Sequence, residues 1–186
     1  MTGRQPLGSL MLAILLILLD VILGQIDVMY ERIEQINGTD IANFQQIRVR
    51  KYNRTLAVLD GTFDLLKPLD DKYEMSAKMA YSSLGNNQFN QYPMKLAPQR
   101  LCEFFGTTWK TYQPYFEHNT NLPKVGECPI MNKQYYLKNH RLDSSMLTPY
   151  LPRGLWRVSF ILTKANDDSI LLQIDLYGKV EAKGIF

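Results

Sequence analysis

The segment Trp156-Arg-Val-Ser-Phe-Ile-Leu-Thr163 alternates apolar and polar side chains, and the alternation resumes in Ile170-Leu-Leu-Gln-Ile-Asp-Leu176. The pair Asn166-Asp167 lies between the two runs. A period of two is typical of a β-strand that buries one face, and Asn and Asp are typical turn residues. The stretch therefore predicts a long β-hairpin near the C-terminus.

Alternation recurs upstream between Lys72 and Ser82, where the apolar positions are Tyr73, Met75, Ala77, Met79 and Tyr81. Shorter strands are predicted to begin at Ile26, Ile47 and Leu56, and another at Tyr135-Tyr-Leu-Lys138. The apolar phase shifts across Asp60-Gly61, which indicates a β-bulge. Six to eight such strands predict an all-β fold, an antiparallel sandwich.

One segment departs from the period of two. The apolar residues Leu101, Phe105, Trp109 and Tyr112 recur at helical spacing. This spacing predicts one short helix of about three turns between Pro98 and Pro114, carrying Cys102. Residues 113–129 contain three prolines and a glycine, and we interpret them as a loop.

Residues 1–24 have the pattern of a secretory signal peptide. A basic residue, Arg4, precedes the apolar run from Leu10 to Leu19, and Gly24 offers a small residue at the cleavage point. The run is shorter than the roughly 20 apolar residues that a membrane span needs. We expect a secreted, extracellular protein with one mature domain at residues 25–186. An uncleaved anchor is the alternative, because Val21-Ile-Leu23 extends the run past Asp20.

The charge balance excludes some partners. The chain has 21 Lys and Arg against 18 Asp and Glu, a formal net charge of +3. A charge this small exerts no strong attraction on nucleic acid or acidic lipid, so we expect no nucleic-acid partner and no stable membrane insertion. The most basic run, Arg48-Val-Arg-Lys51 with Arg54, is interpreted as the solvated face of a strand rather than a binding patch.

Two cysteines, Cys102 and Cys128, are present. In an exported protein they are expected to form a disulfide. Two buried free thiols are the alternative. A zinc site is disfavoured because the spacing of the cysteines and histidines matches no zinc motif, and no metal site is predicted.

Two N-glycosylation sequons, at Asn37 and Asn53, acquire meaning in an exported chain. Each would place its asparagine on the surface.

Catalytic motifs for nucleophilic, metallo-hydrolytic or nucleotide chemistry do not occur. His118 and His140 could form an acid/base pair with a carboxylate such as Glu103, Glu117 or Asp143. Solvent-facing or loop histidines are the favoured interpretation. We therefore predict no catalytic residue, no cofactor and no enzymatic activity.

The predicted interior contains large aromatic and flexible side chains. Such a set can close into a solid core, which sequence alone favours, or part slightly to admit an acyl chain. The candidate ligand-lining residues are Phe63, Met75, Met79, Phe105, Trp109, Trp156 and Phe160.

A series of short motifs then indicates a family. They occur in the order Asn53-Arg-Thr55, Asp60-Gly61, Gly85-Asn-Asn87, Cys102-Glu-Phe104, Asn121-Leu-Pro123, Cys128-Pro129, Tyr135-Tyr-Leu-Lys-Asn139, Asp143 and Leu151-Pro-Arg-Gly-Leu-Trp-Arg157. Over residues 26–182 the series resembles an insect family of secreted domains of unknown function, related to myeloid-differentiation-type lipid-recognition (ML-like) proteins and including the CheB-type chemosensory proteins.

The resemblance implies an immunoglobulin-like, ML-like β-sandwich whose sheets open around a lipid or hydrophobic semiochemical, with a bridge between Cys102 and Cys128. Our leading hypothesis is a secreted carrier or co-receptor-like protein that binds a hydrophobic small molecule or lipid, with a cell-surface receptor as a further partner. The alternative is a protein-interaction module with a solid core.

Overall fold

Most of the predicted mature domain is covered by the computed structural model, which describes residues 11–12, 26–54, 56–147 and 151–182. The predicted leader lies outside the described residues, except for Met11 and Leu12. Within the described ranges no helix has the length and apolar character that crossing a membrane requires.

Nine strands, two short helices and one 3-10 turn occur in the described chain. Their bounds, in chain order, are β1 Ile26–Asn37, β2 Ala42–Asn43, β3 Arg48–Lys51, β4 Ala57–Leu65, β5 Tyr73–Ser82, β6 Asn90–Arg100, α1 Leu101–Gly106, α2 Trp109–Phe116, β7 Gln134–Arg141, the 3-10 turn Ser144–Met146, β8 Gly154–Lys164 and β9 Asp167–Ala182.

The strands form two antiparallel sheets, so the predicted antiparallel sandwich is confirmed. One sheet has the order β1-β9-β8-β5-β6; in the other, β4 pairs with β2 and β3 on one side and with β7 on the other. The predicted C-terminal hairpin is β8 and β9, which lie at the centre of the larger sheet. Phe160 pairs with Ile174 and Val158 with Leu176, so the apolar positions of both strands share the inner face.

The register between β4 and β7 is irregular at Leu59/Gly61, beside the bulge predicted at Asp60-Gly61. Leu59 and Gly61 pair with His140 and Leu137, however, so the additional residue lies in β7 and not in β4. Gly61 has φ 131°, a conformation that side chains disfavour. A Cβ at this position would come within 2.0 Å of the Gln46 carbonyl oxygen. Glycine is therefore required where β4 passes the Gln46 carbonyl, while Leu59, Phe63 and Leu65 keep one inward phase along the strand.

Strand β6 has no counterpart among the predicted strands. It contains Pro93 and Pro98, which count against a strand in a sequence pattern. Because β6 lies at the edge of its sheet, one side of its backbone needs no partner and the prolines are tolerated.

The predicted helix carrying Cys102 is present as α1, which buries Leu101 and Phe104. The single predicted helix is divided in two: α1 ends at Gly106 and α2 begins at Trp109. Helix α2 includes Pro114 and extends into the segment predicted as loop.

Part of the polar face of the central hairpin is buried, although a strand buried on one side would expose it. Ser159 and Asp175 are 7% and 3% exposed. Two neighbours on this face reach the Asp175 carboxylate: Gln173 at 2.8 Å and Arg157 at 3.8 Å. The Phe89 ring of the β5–β6 connection packs against Tyr177, and its centroid lies 5.0 Å from the Arg157 guanidinium.

The predicted disulfide is confirmed: Cys102 and Cys128 are bonded, with their Cα atoms 5.4 Å apart. Leu101, which precedes Cys102, and Ile130, which follows Cys128 after one proline, belong to the same buried cluster. The bond therefore ties α1 to the segment that precedes β7.

Replacing both cysteines, as Cys102→Ser/Cys128→Ser, is expected to lower the free energy of unfolding by roughly 3.5 kcal/mol, because a loop of about 27 residues is no longer closed in the unfolded chain. Urea unfolding with and without reductant measures this change. Reductant should bring the wild type to the stability of the variant and leave the variant unchanged. Equal unfolding midpoints for both proteins under oxidising conditions would contradict the expectation.

Candidate functional site

A cavity of about 290 Å³ lies between the two sheets. Its floor is the inner face of the larger sheet, and its roof is the inner face of the smaller one. The floor residues are Ile33, Met75, Phe160, Leu162, Leu172, Ile174 and Leu176, and the roof residues are Ala42, Phe44, Phe63, Leu65 and Tyr135. Every one of these side chains is a hydrocarbon, a thioether or an aromatic ring.

Three aromatic rings in the roof form a parallel stack. The centroids of Phe44 and Phe63 are 4.5 Å apart at 8°, and those of Phe63 and Tyr135 are 5.2 Å apart at 17°. Burial raises the pKa of Tyr135, and its hydroxyl donates to the Met131 carbonyl at 2.9 Å. The stack thus presents apolar surface to the cavity, and its one hydroxyl already has a partner.

The end wall of the cavity is made by the segments that the disulfide joins. Leu101 and Phe105 of α1 contribute to it, as do Leu69 and Ile130. The backbones of Leu69 and Ile130 exchange two hydrogen bonds, at 2.9 and 2.8 Å, and the Gly126 N–H donates to the Phe105 carbonyl. Backbone pairing and a covalent bond therefore hold this wall together.

The residues predicted to line a ligand site are divided by the structure. Phe63, Met75, Phe105 and Phe160 line the cavity. Met79 and Trp156 instead line a smaller cavity of about 70 Å³, together with residues such as Tyr30 and Val28.

The seventh predicted residue, Trp109, is not among the lining residues of either cavity. Its ring packs between Phe105 and Phe116, and its Nε1–H donates to the Pro123 carbonyl at 2.8 Å. Trp109 therefore supports the end wall from behind.

Several lining residues were missed by sequence reasoning. Tyr135 could have been found, because it alternates with Leu137 in a predicted strand. Phe44 follows a two-residue strand and Leu122 lies in a loop. Neither segment has a repeating apolar pattern from which an inward-facing side chain could be predicted.

The two histidines have different environments. His118 is exposed, as predicted. His140 is 4% exposed, so the prediction of a solvent-facing or loop residue is wrong for it. His140 lies in β7 opposite Leu59 on the inner face, and the Phe116 ring stacks on it at 4.3 Å. Tertiary packing of α2 against β7 buries it.

Both ring nitrogens of His140 are bonded. Nε2 lies 3.1 Å from the Tyr115 carbonyl, which can only accept, so Nε2 carries the proton. Nδ1 then accepts from the Tyr30 hydroxyl at 2.9 Å. Burial raises the pKa of Tyr30 and lowers the pKa of His140, the latter against the opposing effect of the Tyr115 carbonyl. The arrangement stabilises a neutral imidazole that has no lone pair left for proton abstraction.

Metal-ligating side chains do not gather within the described ranges: no group of three or more His, Cys, Asp or Glu there could hold a metal ion. Asp70 and Asp167 each accept a backbone N–H group two residues ahead, whereas the Asp71 carboxylate accepts the N–H of the distant Cys102 at 3.0 Å.

Acidification is expected to destabilise the protein through His140. In the unfolded chain the His140 imidazole is protonated near pH 6.5. In the folded state burial lowers the pKa of His140, so the imidazole is protonated only at a lower pH. Stability should therefore be fully present above pH 6.5 and fall below it by up to about 1.4 kcal/mol per pH unit, until the folded-state pKa is reached. Urea unfolding between pH 7.5 and 5 measures the slope.

The variant His140→Gln should be less stable at pH 7.5 and lose most of this slope. His118→Gln, which removes the exposed histidine, is the matched control and should keep the slope of the wild type. An unchanged slope in His140→Gln would contradict the assignment.

The comparisons with known proteins bear on the region that builds the end wall. No curated protein matches the chain. One family, described as a protein of unknown function (DUF1091), matches residues 74–158. That region begins in β5, includes both helices and both cysteines, and ends in β8. Over these residues the chain is therefore similar to a family whose description states no function.

Proposed function

We propose that the protein is a secreted, non-enzymatic binding protein that holds a lipid or another hydrophobic small molecule between its two sheets. The observation that carries this proposal is the cavity, which lies where the resemblance to ML-like lipid-recognition proteins implies a ligand. A chemosensory or pheromone-related ligand belongs to the same proposal.

The cavity limits the size of the ligand. A methylene group occupies a volume similar to that of a water molecule, about 30 Å³ in the liquid, so the cavity holds a chain of roughly ten carbon atoms. Burial of such a chain provides about 25 cal/mol for each Å² of apolar surface removed from water. The binding energy is therefore that of the hydrophobic effect and of contact with the lining.

The lining also limits the polarity of the ligand. Among the described lining residues, Tyr135 has the one side-chain hydroxyl, and that hydroxyl donates to Met131. A carboxylate or ammonium group inside the cavity would lose its hydration without a partner, which is costly. We expect the ligand to bury a hydrocarbon portion and to keep any charged group at the entrance.

A secreted protein-interaction module is the second candidate. Exposed large apolar side chains favour it, among them Leu84, Leu66 and Met131, which are 80%, 49% and 51% exposed. An interaction module of this kind has a solid core, however, so the space between the sheets supports it less well than the carrier.

Secretion and glycosylation are parts of the same proposal. The disulfide supports an oxidising compartment. Asn37, at the end of β1, and Asn53, in the turn after β3, are exposed, which is the placement an N-linked glycan needs.

The test is ligand binding by the protein purified from a eukaryotic secretory host and stripped of lipid. Native mass spectrometry and thermal unfolding are measured with 1-decanol, decanoic acid and eicosanoic acid. A ten-carbon probe at about 100 times its Kd should stabilise the fold by about 2.7 kcal/mol, and the longer acid should bind more weakly.

The variant Leu172→Trp places an indole in the cavity floor and should abolish this stabilisation. Ile170→Trp makes the same substitution in the same strand at a 44% exposed position, so it is the matched control and should retain binding. The carrier proposal fails if no probe shifts the unfolding temperature and the untreated protein contains no lipid. It also fails if both variants bind as the wild type does.

A further inference from the structure

Two basic segments that are far apart in sequence meet on the smaller sheet. Strand β3 and the turn after it carry Arg48, Arg50, Lys51 and Arg54, and the last half of β7 carries Lys138 and Arg141. Strand β4 lies between β3 and β7 and pairs with both. These six side chains, all exposed, are here called the basic surface.

The register places cations from both segments on the outer face. Arg50 pairs with Val58, which in turn pairs with Arg141. The neighbouring positions Val49 and Leu59 belong to the core. Because side chains alternate between the two faces of a sheet, Arg50 and Arg141 face outward. With strands about 4.8 Å apart, the Cα atoms of Arg50 and Arg141 lie about 10 Å from each other.

The positive charge of the basic surface is largely uncompensated. Within residues 48–54, 56–60 and 138–141 there are six cations and one carboxylate, Asp60, a surplus of five charges against three for the entire chain. Asp60 accepts from the Arg50 guanidinium at 3.1 Å and from the Asn139 N–H at 2.9 Å. The remainder of the chain is therefore slightly acidic, and the positive potential is concentrated on this part of the smaller sheet. Lys51 has the phase of Val49 but is exposed at the end of β3.

Most of these cations have N–H donors that make no bond to the described part of the chain. Arg48, Lys51, Arg54 and Lys138 make no side-chain hydrogen bond or ion pair with the part of the chain that the structure describes. The Arg141 guanidinium lies over the half-exposed Tyr52 ring, at 5.0 Å from its centroid. Guanidinium groups whose N–H donors have no partner in the protein bind oxyanions well, because two of the donors can bond one oxyanion at once.

We infer that the basic surface binds a sulfated polysaccharide. The cations are spread over two strands, with β4 between them, and a turn, which fits an extended polyanion better than a single anionic group. The disulfide supports a location outside the cytosol, where nucleic acid is not the expected partner. Strongly anionic lipid belongs to the cytoplasmic leaflet, so an outer membrane surface is the weaker match. This inference does not depend on the cavity or its ligand.

The experiment measures the affinity of the folded, disulfide-bonded protein for heparin between 0.05 and 0.3 M NaCl. The protein is measured with and without its N-linked glycans, because the sequon at Asn53 lies on the turn of the basic surface. We expect binding at 0.15 M NaCl that weakens steeply with salt, as counterions are released from the polyanion.

The variant Arg48→Gln/Lys138→Gln removes two cations that have no partner in the described chain, so the fold should be preserved. Its heparin affinity should fall about 10- to 30-fold, and its salt slope by about two units. Lys78→Gln/Lys95→Gln is the matched control. These two exposed lysines pair across β5 and β6 on the other sheet, and their loss changes the net charge equally.

Three outcomes would overturn the inference. One is the absence of heparin binding at 0.15 M NaCl, with circular dichroism confirming a folded protein. Another is an equal loss of affinity in the two variants, which would show attraction by net charge alone. The third is tighter binding to phosphatidylserine vesicles than to heparin, which would assign the surface to a membrane.

Discussion

Burial of the inner face of the β8–β9 hairpin is the interaction on which the rest of the structure depends. This hairpin occupies the centre of the larger sheet, and β5 and β1 pair with its two outer sides. Its apolar positions, among them Phe160 and Ile174, form most of the cavity floor. The smaller sheet packs over that floor because both faces lose apolar surface to water when they meet. The hairpin therefore provides the lateral pairing and the hydrophobic surface at once.

Two features hold the space between the sheets open. The stack of Phe44, Phe63 and Tyr135 gives the roof wide, stiff side chains, which cannot fold down to fill the gap as methionine can. The end wall is fastened by the disulfide and by the backbone pairing of Leu69 with Ile130, so it cannot collapse inward. A core assembled from such parts retains a cavity at the expense of dispersion contacts, which a bound ligand would restore.

Local patterns predicted the fold wherever the physical signal was local. The alternation of β5 and of the hairpin and the helical spacing around Cys102 each reflect one residue and its near neighbours. Strand β6 was not predicted, because its two prolines count against a strand. They are tolerated because β6 lies at the edge of its sheet. The burial of His140 was also missed, because α2, a segment remote in sequence, covers it.

The sequence by itself determined most of the strands, much of their inward set of aromatic and aliphatic residues and the pairing of the two cysteines, because alternation records which way a side chain points and two cysteines allow one bridge. Only the tertiary structure decided the distance between the sheets, and hence that Phe63, Met75, Phe105 and Phe160 face a common space while Met79 and Trp156 face another. It also decided that Arg48 and Arg141 share a face. Periodicity describes a strand relative to its own sheet, whereas separation and convergence depend on contacts between residues far apart in the chain.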